Sequence, residues 1–251
     1  MNLLAVLSAN PYHEPRARTT KHQLDMNIDY TASLKEISAA ADVWCGADAS
    51  AGALAAAADV AMRARALLIA VAPPHVHIMW SWLEGKDTEV FAVFQDQETK
   101  DFDAGRLAAD IHAAFKKGAA GAIIPGRPDI ILAILPVRQD LFFGKKLFIS
   151  ADLKSVGQRD WAHVFNDLKR LDADGILLDA RLLPGKNGRV RGMDAVGKIY
   201  GFLENLDKGF TGTVSVLAGN PGIMESVFRL AHKMRPDITK NLRFFIGHGC
   251  A

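Results

Sequence analysis

Short apolar runs alternate with amphipathic helical stretches along most of this chain, and that rhythm limits its fold more than any other feature. The runs fall at Leu3–Ser8, Asp42–Gly46, Leu67–Ala72, His75–Trp82, Val90–Gln95, Gly121–Pro125, Leu147–Asp152, Gly175–Asp179, Thr213–Ala218 and Arg243–Gly247. Helical spacing occupies Thr31–Ala40, Ser50–Arg65, Asp103–Gly118, Asp160–Leu171, Met193–Asp207 and Gly222–Met234. Strand-length runs that are apolar throughout, rather than alternating with polar residues, belong to strands covered on both faces. Strands separated by helices join as βαβ crossovers, which make a parallel sheet.

The helices carry their own punctuation. Asp160 can cap a helix whose apolar positions Trp161, Val164, Phe165, Leu168 and Leu171 form one stripe. Lys116 and Lys117 lie in a last turn that Gly118 stops, and the next apolar run follows at once. The strand count exceeds that of an open five- or six-stranded sheet and predicts a (βα)8 TIM-type barrel. One of Leu3–Ser8, Leu67–Ala72 and His75–Trp82 must then lie outside the barrel or be helical. Pro73-Pro74 can start a helix carrying Trp80 and Leu83, because proline fits a first turn. No linker rich in Gly, Ser or Pro divides the chain, so residues 1–251 are expected to form a single domain. Asn10–Tyr30 is expected to be a long exposed loop, in the position of a lid.

Composition narrows the function classes. Of 251 residues, 49% are apolar, enough for a sizeable core. Thirty basic against 28 acidic residues leave a net charge of +2, which gives no footprint for nucleic acid or an anionic membrane. The first residues lack a positive leader, and their apolar run is too short for a signal peptide. The Ala-rich stretch Ala49–Ala72 is interrupted by Asp59, Arg63 and Arg65, each costing about 2.5–3.5 kcal/mol at a bilayer centre. Cys45 and Cys250 cannot build a disulfide framework, and a cytoplasmic address is expected.

In a closed barrel the carboxyl ends of all strands meet on one face, where such folds place their chemistry. The run ends supply Asn10, Asp48, Gln95, Asp96, Arg127, Asp152, Lys154, Asp179, Arg181, Asn220 and His248. Asp152-x-Lys154 is the sharpest pair, since positions two apart on a strand share a side. Nearby carboxylates hold a lysine charged as a proton donor, whereas desolvation lowers its pKa for imine chemistry. Gly219 and Asn220 after one run, and Gly247, His248 and Gly249 after the last, would let backbone amides approach an anion. Arg127 and Arg181 could clamp its charge. His75-x-His77 would put two rings on one face if extended, and with His248 and an aspartate it offers a divalent metal site.

The segment Phe148-Ile149-Ser150-Ala151-Asp152-Leu153-Lys154, a helix, and then Ala173-Asp174-Gly175-Ile176-Leu177-Leu178-Asp179 resembles a strand-helix-strand unit of the orotidine-phosphate-decarboxylase-like barrels. The tail Val216–Asn220 through Phe245–Gly249 is similar to the phosphate-binding strands of those barrels. The resemblance covers roughly the C-terminal 110 residues. It implies proton-transfer and electrostatic work for Asp152 and Lys154, and a phosphate on the last two strands. The Asp-x-Lys comes on about the sixth run, and a lysine there is also similar to the Schiff-base placement of class I aldolases.

These readings predict a lyase or isomerase acting on a small, phosphorylated carbonyl compound. Lys154, Asp152 and Asp179 are the expected catalytic residues, and Arg127, Arg181, Gly219, Asn220, Gly247, His248 and Gly249 the expected anion-binding ones. No cofactor is expected, and the partners are a small-molecule substrate and, by base rate, a second copy of the chain. Two alternatives stand beside this expectation. One is metal-assisted hydrolysis through His75, His77, an aspartate and His248. The other is a non-catalytic barrel serving as a binding or scaffold subunit, to which Gly157 points by standing where the decarboxylase-like family has a second aspartate.

Overall fold

The computed structural model describes residues 36–46, 48–94, 103–153, 161–181 and 192–248. Within them eight parallel strands close on themselves in chain order, each paired with its sequence neighbours and the last with the first. The strands are β1 Ala41–Cys45, β2 Leu68–Val71, β3 Glu89–Val93, β4 Gly121–Pro125, β5 Lys146–Asp152, β6 Gly175–Asp179, β7 Thr213–Leu217 and β8 Leu242–His248. The (βα)8 barrel expected from the apolar rhythm is the observed fold. Among the described residues no helix is long and apolar enough to cross a membrane.

Of the three competing runs, Leu67–Ala72 supplies β2, and His75–Trp82 is helical. Pro73–His75 forms a 3-10 turn that leads into α2, Val76–Leu83, whose Val76, Met79 and Leu83 face the core at helical spacing. The run Leu3–Ser8, the loop Asn10–Tyr30 and the capping Asp160 lie outside the described residues. One correction follows from the count. Asp152 ends the fifth strand of the barrel, not the sixth.

The larger helices cover the outside: α1 Ala51–Ala64, α3 Ala104–Lys116, α6 Trp161–Arg170, α7 Gly192–Asn205 and α8 Pro221–Met234. Ser50 caps α1 by accepting from the Ala53 amide, and Asp103 caps α3 by accepting from those of Gly105 and Arg106. Gly118 stops α3 with φ +106, and a side chain there would collide with the Trp80 ring. Sequence reading missed α4, Pro128–Ile134, the short α5, Arg138–Leu141, and α9, Pro236–Thr239. In α4, Pro128 begins the first turn while Ile130, Ile131 and Ile134 are buried.

Two apolar layers result. Outward strand residues such as Ile149, Leu178 and Val216 pack under the helices. Inward ones, among them Trp44, Phe91, Ile123, Phe148, Leu177, Leu217 and Phe245, fill the barrel. Phe91 and Phe148 meet edge to face with centroids 5.1 Å apart. Glycines at the next lower level make room for them, because a Cβ on Gly121 or Gly175 would sit 2.5 Å or 2.7 Å from those rings.

The amino-terminal end of the barrel is closed by charge pairs. Asp42, 1% exposed, accepts from Arg243 Nε at 2.8 Å and Nη2 at 2.5 Å, and from the Leu68 amide at 3.0 Å. Burial pushes the Asp42 carboxyl above its ordinary value, against the opposing pull of Arg243. Lys146 meets both Glu89 oxygens at the same end. This is the face where barrels keep stability rather than chemistry.

Candidate active site at the carboxyl ends of the strands

Because the strands tilt, residues at one height come from alternate strands, and the register gives their order. Trp44, Val93, Ser150 and Leu217 form the uppermost buried layer, with Ser150 half-buried while the others are covered. Asp179 and Gly247 stand one level higher, on β6 and β8, and Asp152 higher still on β5. The mouth of the barrel thus changes from an apolar floor to a polar rim over two residues of strand.

Asp152 and Asp179 are register partners at the ends of neighbouring strands, and both are half-buried. Alternation from the inward Phe148 and Leu177 directs both to the barrel interior. The strand ends are tied by the Leu153 amide, which donates to the Asp179 carbonyl at 3.0 Å.

Asp179 in turn holds Arg181. Its Oδ1 accepts from the Arg181 amide and Nε at 3.0 Å, and its Oδ2 from Nη2 at 2.7 Å. The guanidinium lies 4.8 Å from the centre of the Trp44 ring. A cation over an indole face is stabilised by the ring quadrupole, so charge pairing and stacking both fix Arg181 at the mouth. The Trp44 indole nitrogen is itself buried and makes no hydrogen bond among the described residues.

Arg127 has a similar arrangement on the other side of β5. It precedes α4 and donates to both oxygens of Asp129 at 3.1 Å and 2.6 Å. That guanidinium holds the Asp129 carboxyl below its usual range. The two arginines expected to clamp an anion therefore flank β5, each in a bidentate pair with an aspartate two residues away.

The remaining expected residues divide. Gly219 follows β7, where a Cβ would meet none of the described residues within 4 Å, and Asn220 caps α8 by accepting from the Gly222 amide at 2.8 Å. Gly247 is the register partner of Trp44, and the backbone of His248 ends β8 opposite Cys45. Lys154 and Gly249 lie outside the described residues. His75 and His77 do not share a strand face, since His75 closes the 3-10 turn and His77 sits in α2, stacked at 6.3 Å on Trp80. Among the described residues no three His, Cys, Asp or Glu side chains are grouped as a metal site requires.

Sequence reading missed Trp44, Ser150 and Lys198 at this end. The first two share a strand parity with Asp42 and Asp152, so alternation could have found them. Lys198 lies on α7 and reaches the carbonyl of Leu153; no local pattern marks it.

No family model and no curated protein matches the chain. Solved structures do. A deoxyribose-phosphate aldolase from Aeropyrum pernix, described as a unique tetramer, is 10% identical with a TM-score of 0.65, over 91% of this chain and 94% of that one. An aldolase called QR15 is 11% identical with a TM-score of 0.57, over 83% and 90%. A phosphonopyruvate hydrolase in complex with oxalate and magnesium is 10% identical with a TM-score of 0.54, over 84% and 78%. Likeness at this identity is likeness of fold, and the fold it identifies is the (βα)8 barrel.

Proposed function

We propose that this chain is a cytoplasmic lyase or isomerase that acts on a small, phosphorylated carbonyl compound at the carboxyl mouth of its barrel. The observation that carries the reading is the pairing of Asp152 with Asp179 across β5 and β6, with Arg181 fixed beside them. Two adjacent carboxylates at a barrel mouth suit general acid–base work. The reading gains support from aldolases on the same fold.

In this scheme the Lys154 amine adds to the substrate carbonyl, and water leaves to give an imine. Asp152 and Asp179 take and return the protons of addition, dehydration and bond cleavage. Arg181 supplies a fixed positive charge for the substrate anion, with Arg127 across β5. The backbone at Gly219, Gly247 and Gly249 approaches the phosphate, flanked by Asn220 and His248. A homodimer is the assembly we assign to it.

Borohydride reduction in the presence of a panel of phosphorylated aldehydes and ketones tests the scheme. It predicts a covalent adduct that maps to Lys154 by peptide mass spectrometry. Capture at other lysines only, or no capture with turnover intact in Lys154→Ala, would remove the imine.

A further inference from the structure

We propose that Lys198 is a positioning residue that holds Asp152 and Asp179 side by side, acting through the backbone of Leu153. The inference rests on the reading of those two carboxylates as the acid–base pair, and names what keeps them in place. Leu153 follows Asp152 directly. Its amide donates to the carbonyl of Asp179, and its own carbonyl accepts from Lys198 Nζ. One residue thus joins three elements: β5 behind it, β6 beside it, and α7 outside the barrel.

The local geometry explains why a lysine reaches so far. α7 runs antiparallel to the strands, from the carboxyl end of the barrel towards its amino end, with Lys198 in its middle. Helix side chains lean towards their own N-terminus, so the Lys198 stem is directed to the strand ends. Leu153 is fully buried in the outer core with Ala195 and Ile199, and Lys198 is half-buried between those two. A charged donor on a carbonyl in such surroundings makes a stronger bond than a neutral one.

The placement of this bond sets it apart. Lys145 donates to the Ala119 carbonyl, Arg138 to those of Leu171 and Asp172, and Arg235 to that of Leu206. Those contacts close helix ends at the amino-terminal face, where they support the scaffold. The Lys198 bond instead fixes a peptide at the catalytic face, next to an acid–base residue. Without it the Leu153 carbonyl would have no donor among the described residues, and the β5 end would turn to find a partner, carrying Asp152 away from Asp179.

Lys198→Met keeps the aliphatic stem and removes the donor, whereas Lys198→Arg keeps a donor. Amide exchange at Leu153, read by NMR, reports the β5–β6 tie without any substrate. We expect Lys198→Met to exchange about tenfold faster or more at Leu153, with Ile149 and Leu178 unchanged, and Lys198→Arg to restore protection. On a carbonyl compound from the borohydride panel, kcat should fall about 10- to 100-fold in Lys198→Met with KM within about twofold, and recover in Lys198→Arg. Unchanged exchange at Leu153 overturns the proposal. Faster exchange with unaltered kcat on a compound the wild type turns over overturns it too, leaving only a structural tie. If the wild type turns over no compound in the panel, the enzymatic reading fails while the exchange result still decides whether Lys198 holds the strand ends.

Discussion

Arg181 stacks on Trp44 across the mouth of the barrel, its guanidinium 4.8 Å from the ring centre and held from below by Asp179. The two residues are far apart in sequence, on β1 and just after β6, and meet only because the sheet closes. Their contact makes an intrinsic reporter of the proposed site. Removing the cation from the indole face should shift the Trp44 contribution to fluorescence, so Arg181→Ala should differ from wild type in emission while Arg127→Ala does not.

The anion clamp proposed for Arg127 and Arg181 can be divided between them by experiment. A charge-assisted hydrogen bond contributes about 1.5–3 kcal/mol, so losing the group that contacts the substrate anion should raise KM about 10- to 100-fold. We expect this for Arg181→Ala, because Arg181 is the guanidinium tied to the carboxylate pair. Steady-state kinetics of both arginine variants on a turned-over compound checks the assignment; an effect in Arg127→Ala alone would move the anion to the β4 side.

Gly175 has no tolerance for a side chain, since a Cβ there would stand 2.7 Å from the Phe148 ring and 2.8 Å from the Thr213 carbonyl. Gly175→Ala should cost about 1–3 kcal/mol as an overpacking change. Denaturant unfolding measures it. Shortening the ring with Phe148→Leu in the same chain should return part of the loss, because it removes one of the two collisions.

The Asp42–Arg243 pair gives a pH signature. Burial raises the folded pKa of Asp42 above its ordinary 3.8, so between those values the folded state binds more protons than the unfolded one. The stabilisation linked to this proton is complete below 3.8 and is lost as pH rises through the folded value. Arg243→Met leaves the carboxylate buried with no countercharge, at a cost of about 3–5 kcal/mol near neutrality. That cost should shrink as pH falls and Asp42 protonates. Unfolding curves across the acid range would show it, and a loss independent of pH would contradict the role given to Asp42.

Much of the barrel can be read from the residues, because a strand buried on both faces must be apolar along its length and a covering helix must not. Gly175–Asp179 and Thr213–Ala218 are legible for that reason. Leu3–Ser8 has the composition of a buried strand and raises the count at Asp152 by one, while the eight strands that close the barrel all begin after residue 40. His75–Trp82 shows the ambiguity of short apolar runs: the prolines before it and the spacing of Val76, Met79 and Leu83 decide for helix.

At the mouth, Asp152 and Asp179 could be found because strand ends converge by topology, and their pairing needed only the register. Side-chain partners were another matter. Arg243 meets Asp42 from 201 residues away, and Lys198 reaches Leu153 from an outer helix. Such contacts depend on where the folded backbone puts distant groups, and local periodicity carries no trace of them. The pairing of Arg127 with Asp129 and of Arg181 with Asp179 was local, yet the choice of carboxylate over solvent is made by the loop geometry.

The catalytic role proposed for the paired carboxylates is tested most directly by turnover in Asp152→Asn and Asp179→Asn, measured on a phosphorylated aldehyde or ketone that the wild type converts. General acid–base groups contribute about 10²- to 10⁴-fold, so each variant should lose activity on that scale while its unfolding curve stays near that of wild type. Wild-type turnover in both folded variants would contradict the account and take the chemistry away from the β5–β6 mouth.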